Sequence, residues 1–142
     1  MSFKVSTVFP GIHHICDSMG VCMTLIVGQT KSLLIDAGYG LEPIGPVIQG
    51  LTSLPCRLVL SHGHHDHALG AMQFEQVWLH PAERTVYETY TDHQERNRVL
   101  AQASAQGVSV KTADYLSRPM PKPELIRRFI KNRTSSVRTR IR

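Results

Sequence analysis

Ser61-His62-Gly63-His64-His65-Asp66-His67 is the stretch whose reading decides the fold. Four histidines and one aspartate fall between positions 62 and 67, in the pattern H-x-H-x-D-H. Imidazole and carboxylate together suit zinc, iron and manganese. The stretch directly follows Arg57-Leu58-Val59-Leu60, a nearly continuous apolar run of the kind buried on both faces in an α/β sheet. A loop leaving such a strand can aim positions 62 and 64 at one cation and 66 and 67 at a neighbour. Two cations about 3.5–4 Å apart can share a hydroxide, and bound water moves toward a pKa of about 7. The plain alternative is a histidine-rich surface loop with incidental metal affinity. The spacing, the strand before it and a second motif upstream argue against that.

Upstream, the chain reads as strands. Phe3 to Phe9 alternates with period two, and Pro10-Gly11 marks a turn before His13-His14-Ile15-Cys16. Val21–Val27 and Ser32–Ile35 are expected to form a hairpin across Gly28-Gln29-Thr30-Lys31. The second of these runs ends in the glycine-rich loop Asp36-Ala37-Gly38-Tyr39-Gly40. Pro43–Leu54 then has apolar residues at 44, 47, 48, 51 and 54, a helical spacing. Downstream, a short helix is expected over Ala68–Phe74 and a short buried strand over Val77–Leu79. Pro81–Gln106 reads as mostly helical with a break near Thr91-Asp92, either of which can cap the second segment. Val108-Ser109-Val110 is too short to assign, and Pro119, Pro121 and Pro123 mark an irregular linker.

Length and charge set the outer bounds. At 142 residues the expectation is one domain, long enough to bury roughly two thirds of its unfolded surface. The chain is 42% hydrophobic and 19% charged, which excludes collagen-like, coiled-coil and wholly disordered classes. The net charge of +5 is unevenly placed: −3 over residues 1–116 and +8 over residues 117–142. The body is mildly acidic, and the basicity belongs to the tail. No apolar run is long enough to span a bilayer, and no apolar stretch of the secretory type opens the chain. No membrane partner is therefore expected. Cys16, Cys22 and Cys56 form no C-x-x-C pair and leave an odd thiol, which favours a reducing, cytoplasmic setting.

With Gly70 after it, Ser61–His67 closely resembles the signature of the metallo-β-lactamase-fold hydrolases. Leu33-Leu34-Ile35-Asp36-Ala37-Gly38-Tyr39-Gly40 is similar to that family's earlier strand-and-aspartate motif, and Gly11 and Gly20–Val27 fit its N-terminal strands. The resemblance covers roughly residues 3–115. It implies an α/β fold, the αββα sandwich with mixed sheets and flanking helices. Residues 1–116 would form the N-terminal half and residues 117–142 a Pro-containing basic tail. It further implies a metal-bound hydroxide attacking an ester, thioester, lactone or amide of a small-molecule substrate. The usual cofactor is zinc, as two ions, with iron or manganese as alternatives. Carried over by position, His62 and His64 would ligate the first ion, and Asp66 and His67 the second. Asp66 would also take the proton, and Asp36 would hold the metal loop by hydrogen bonds. Alternation would turn His65 away from the ions.

The resemblance also sets a limit. The family draws further ligands from a downstream Gly-His turn, an aspartate and a last histidine. After His67 this chain has only His80 and His93. His80 follows a strand end and is a candidate for lining the pocket or capping a helix. His93 sits beside Gln94, Glu95 and Arg96 and is expected on a solvated helix face. Asp114 is a weak candidate for the bridging carboxylate. Two explanations follow: a fragment of a longer hydrolase, which the compositional shift favours, or a minimal form that pairs with another chain. Half a sandwich exposes an apolar sheet face, so aggregation or a homodimer is expected. The competing classes are an incomplete metal-binding or dimerising module, and a nucleic-acid binder or nuclease relative using the tail. No aromatic residue beyond Phe129 interleaves with the tail's charges, so base stacking is unsupported.

Overall fold

The computed structural model describes residues 3–126. Seven strands form one sheet in strict chain order, β1-β2-β3-β4-β5-β6-β7. The first four are β1 (Lys4–Phe9), β2 (Ile12–Cys16), β3 (Cys22–Val27) and β4 (Ser32–Ile35), joined by short turns and paired antiparallel. The chain then changes mode. Helix α1 (Gly45–Leu51) carries it over one face, so that β5 (Cys56–Val59) pairs parallel with β4. A parallel pair requires such a crossover. β6 (Val77–Leu79) and β7 (Pro123–Leu125) extend the parallel part.

The turns explain themselves chemically. Between β2 and β3 the Asp17 carboxylate folds back on its own loop, its Oδ1 accepting from the amides of Met19 and Val21, both at 2.9 Å. Asp17 is thus an Asx-type turn former. α1 starts with Pro46 in its first turn, where a missing N–H costs nothing. Asp92 caps α4 (His93–Ala105), accepting from the Glu95 amide at 2.9 Å. This separates α4 from α3 (Arg84–Tyr90) where the sequence expects the break.

Period-two alternation builds the core. Ile15, Met23, Leu25, Leu34, Leu58, Val77 and Leu79 are buried and pack with Ile44, Ile48, Ala68 and Tyr87 from the helical side. Each fully buried aliphatic side chain of this kind contributes about 1.5–3 kcal/mol. A second cluster joins Tyr39, Leu69, Met72, Val99 and Tyr115. The alternate residues of the strands line the other face of the sheet. Register places Ile12, Ile26 and Leu33 in one row, and Thr24, Ile35, Val59 and Trp78 in the next. None of these seven is buried, and Ile26 is openly exposed.

Three features depart from the sequence reading. Helix α2 (His65–Ala68) begins inside the histidine motif, and a 3-10 turn (Leu69–Gln73) continues it, so the helix starts three residues earlier than the apolar pattern suggests. Helix α5 (Thr112–Ser117) arises where the sequence reading assigns no element, and strand β7 where it expects an irregular linker. α5 is held by the buried Arg96, whose guanidinium donates to the carbonyls of Tyr115, Leu116 and Arg118. Pro123 is tolerated in β7 as the first residue of a strand at the sheet edge. The third departure is covalent. Cys16 and Cys22 face each other in the register of β2 and β3 and form a disulfide, leaving Cys56 as the free thiol. An odd cysteine count is equally compatible with one bridge and one thiol, so it is no argument for reducing surroundings. No helix among the described residues is long and apolar enough to cross a membrane. Most of the basic tail, residues 127–142, lies outside the described residues.

Candidate metal centre

The centre is assembled at the carboxyl ends of β4 and β5. β4 delivers Asp36 in a left-handed backbone conformation, φ 68°, the only such non-glycine residue among those described. Left-handed backbone costs an ordinary residue about 1–2 kcal/mol, and aspartate tolerates it better than most. The conformation turns the carboxylate toward the end of β5. There Oδ1 accepts from the Ser61 amide at 2.8 Å, and both oxygens accept from the Ser61 hydroxyl at 2.9 and 2.7 Å. Oδ2 also meets Nδ1 of His67 at 3.0 Å.

Backbone contacts lock the two loops together. The Ala37 amide donates to the His67 carbonyl at 2.9 Å, and the Gly70 amide to the Gly38 carbonyl at 2.9 Å. The approach is so close that a Cβ at position 70 would lie 1.9 Å from the Ala37 oxygen. Gly63 is similarly constrained, since a Cβ there would lie 2.4 Å from the Tyr87 nitrogen. The glycines of the motif are therefore steric requirements of the packing.

His62, Asp66 and His67 come together, each offering a ligand atom within 4.8 Å of the others. Their hydrogen bonds orient the rings. Asp36 can only accept while ionised, so Nδ1 of His67 carries a proton, which in the neutral ring leaves the lone pair on Nε2. Nε2 of His67 lies 3.5 Å from Oδ2 of Asp66. Nδ1 of His62 lies 2.8 Å from the Ser61 hydroxyl. Because that hydroxyl donates to Asp36, His62 donates to it through Nδ1 and likewise keeps Nε2 free. Two imidazole lone pairs and a carboxylate form a donor set that suits zinc and does not exclude iron or manganese.

The remaining candidates stand elsewhere. His64 is outside the three-donor group; its ring lies 5.0 Å from that of His62 and edge-on to Tyr90 at 4.7 Å. His65 turns toward α4, with Nδ1 3.7 Å from a carboxylate oxygen of Glu95, and lies between the rings of Tyr39 and Tyr90. His80 is exposed and accepts from the Ala82 amide at 3.1 Å, capping a 3-10 turn. His93 is the exposed first residue of α4. Asp114 lines a separate cleft of about 390 Å³ with Glu42, Lys111 and Arg118; none of the three donor residues lines it.

Several site-shaping residues have no signature in the sequence. Tyr90 reaches His64 from α3, and Glu83 accepts from the Gly63 amide at 3.2 Å. Tyr39 is buried beside the centre. Burial, and then the negative charges of Asp66 and Asp17, hold its phenol above the ordinary range, so it stays protonated at neutral pH. Ser61 is the exception. Its place directly before the first histidine could have marked it as the link between Asp36 and His62.

Comparison with known proteins identifies the family and the fold. The model of the metallo-beta-lactamase superfamily matches residues 19–130. The chain belongs to that superfamily, a family of largely hydrolytic, metal-dependent enzymes. Its fold is similar to a metallo-beta-lactamase from Erythrobacter litoralis solved with beta-mercaptoethanol in the active site, at 16% identity and TM-score 0.54, covering 63% of this chain and 46% of that one. It is also similar to FIM-1 from Pseudomonas aeruginosa in its mono-zinc form, at 11% identity and TM-score 0.53, covering 63% and 47%. DIM-1 exposed to ceftazidime gives 9% identity and TM-score 0.53, covering 63% and 48%. The chain thus spans about half the length of the structures it matches. No curated protein matches it.

Proposed function

We propose that the chain holds a divalent cation through His62, Asp66 and His67 and belongs to the machinery of a hydrolase that opens an ester, thioester, lactone or amide with water. The single observation behind this is the gathered donor set: one ring nitrogen each from His62 and His67 and a carboxylate oxygen of Asp66 lie within 4.8 Å of one another. When bound, the cation would lower the pKa of a water toward about 7 and polarise a carbonyl. The chain's own groups do the rest. Asp36, through Ser61 and His67, fixes both imidazole tautomers. In this reading the Asp66 carboxylate would take the proton from the attacking water. Zinc is the favoured cation. A second ion would need His64 and donors beyond the three.

One observation favours a second reading. The described residues supply a single three-donor set, which supports a cation-binding module without turnover of its own. Zinc titration by calorimetry, followed by assay against thioester and lactone substrates, separates the two. Tight zinc binding with hydrolysis supports the first reading, and binding without hydrolysis the second. Absence of zinc binding overturns both. The sheet face carrying Ile26, Leu33, Ile35, Val59 and Trp78, none of them buried, supports self-association, which light scattering would register as a mass above the monomer's. The same reading places the chain's action in the cytoplasm, where the Cys16–Cys22 bridge would be subject to reduction.

A further inference from the structure

The disulfide sits next to the metal centre in connectivity. Cys16 and Cys22 end β2 and begin β3, with Cα atoms 4.0 Å apart, and close the turn that contains Asp17. Asp17 has two jobs. Its Oδ1 accepts from the Met19 and Val21 amides within the closed turn. Its Oδ2 faces outward from the turn to the Tyr39 amide at 3.4 Å, and a Cβ on Gly38 would lie 2.8 Å from that same oxygen. Gly38 and Tyr39 belong to the loop that begins with Asp36 and that the His67 carbonyl and Gly70 amide clamp from the other side. A continuous set of contacts therefore runs from the bridge through Asp17 to the residues that orient His62 and His67. The bridge is also reachable: Cys22 is exposed and Cys16 half-buried.

We propose that the Cys16–Cys22 disulfide is a reversible redox clip that sets how firmly the Asp36 loop is held, and through it the cation-binding histidines. The cation part of this rests on the metal-centre reading above. The opening reaction needs a dithiol. One of its thiolates attacks Sγ of exposed Cys22, the S–S bond breaks, and Cys16 leaves as a thiolate that takes a proton. The second thiol attacks the mixed disulfide and releases Cys22, which is protonated in turn. The protein gains two electrons and two protons, and the dithiol ends as its own disulfide. With the bridge open, the turn at 17–21 is closed only by its own hydrogen bonds. Asp17 then loses its fixed place against Gly38 and Tyr39.

The test compares the oxidised protein, the protein reduced with a tertiary phosphine, and the double variant Cys16→Ser/Cys22→Ser. The phosphine takes oxygen from water and leaves two protons on the sulfurs; alkylation and mass then confirm that both thiols are free. Amide hydrogen exchange is followed at Tyr39 and Ser61, with Thr52 at the end of α1, whose amide donates to the Ile48 carbonyl at 2.9 Å, as the remote control. Reduction is expected to speed exchange at Tyr39 and Ser61 about tenfold while Thr52 is unchanged. Zinc affinity should fall about tenfold in parallel. The double variant should match the reduced protein and ignore the phosphine. Unchanged exchange at Tyr39 and Ser61 with both thiols alkylated overturns the proposal, as does an equal rise at Thr52. If the variant does not fold, the phosphine-reduced natural chain decides. Zinc failing to bind in either state overturns the metal-centre reading, and the exchange measurement still decides the clip. Zinc bound equally in both states leaves that reading intact and overturns the clip's control of it.

Discussion

Oδ2 of Asp36 and Nδ1 of His67 meet at 3.0 Å across 31 residues of chain. This contact ties the end of β4 to the histidine motif after β5 and fixes which ring nitrogen of His67 is free. Asp36→Ala should therefore weaken zinc affinity by about ten- to a hundred-fold, through His62 and His67 together. Asp36→Asn, which can still accept one of these bonds, should lose less. Competitive titration against a chelating dye measures both. Full affinity in the alanine variant would remove Asp36 from the account.

The three gathered donors are expected to separate from their neighbours. His62→Ala and His67→Ala should abolish zinc retention on gel filtration. His64→Ala should lower affinity by no more than about tenfold, as expected for a group beside the donors rather than among them. His65→Ala, which removes a ring facing Glu95, should leave affinity unchanged. Equal losses at all four positions would contradict the observed grouping.

Steric closeness at Gly70 gives a stability prediction. Gly70→Ala forces a methyl group against the Ala37 carbonyl. The cost should be about 1–3 kcal/mol or more, the range for inserting atoms into a packed interior. Urea unfolding should show a lower midpoint with an unchanged slope. A change at exposed Gly50, where a Cβ would meet nothing within 4 Å, should cost no such amount.

Arg96 joins α4 to α5 through three backbone carbonyls, and burial lowers its pKa. Arg96→Met would leave those carbonyls without their donor. A loss of about 2–4 kcal/mol is expected, with faster amide exchange in α5. Unchanged exchange at Tyr115 would refute it.

Alkaline pH should act through three tyrosines. Burial raises the phenols of Tyr39, Tyr87 and Tyr115 above their ordinary value. A phenol with a higher pKa in the folded state favours folding while it keeps its proton. That contribution is complete below about pH 10 and is lost as pH climbs through the raised folded values. Tyr87 and Tyr115 also donate to the carbonyls of Pro121 and Tyr39, at 2.6 and 2.8 Å. Difference absorbance should show Tyr39, Tyr87 and Tyr115 ionising only with unfolding. Ionisation of all three below the unfolding transition would contradict this.

Most of the local pattern was legible in the chain. Period two announced β1, turn signals and a hairpin pattern announced β2 to β4, the apolar run announced β5, and the histidine spacing announced the candidate donors. What escaped depends on partners distant in sequence. α5 exists because Arg96 binds its carbonyls 19 to 22 residues away, and no local signal encodes that. β7 exists because β6 offers an edge, so Pro123, which reads as part of a linker, became its first residue. The helical start at His65 escaped because the motif reads as a loop when its apolar neighbours are counted. Tyr90 and Glu83 lie on elements whose docking no spacing rule reports.

The strict chain order of the seven strands has a kinetic meaning. Each strand pairs with the one made just before it, apart from the excursion through α3, α4 and α5 before β7. Topologies built from near neighbours pay little loop-closure entropy before contacts form, and they fold quickly for their size. Synthesis proceeds in the same direction. The first four strands can therefore assemble as they leave the ribosome, with the histidine motif emerging onto a sheet already in place.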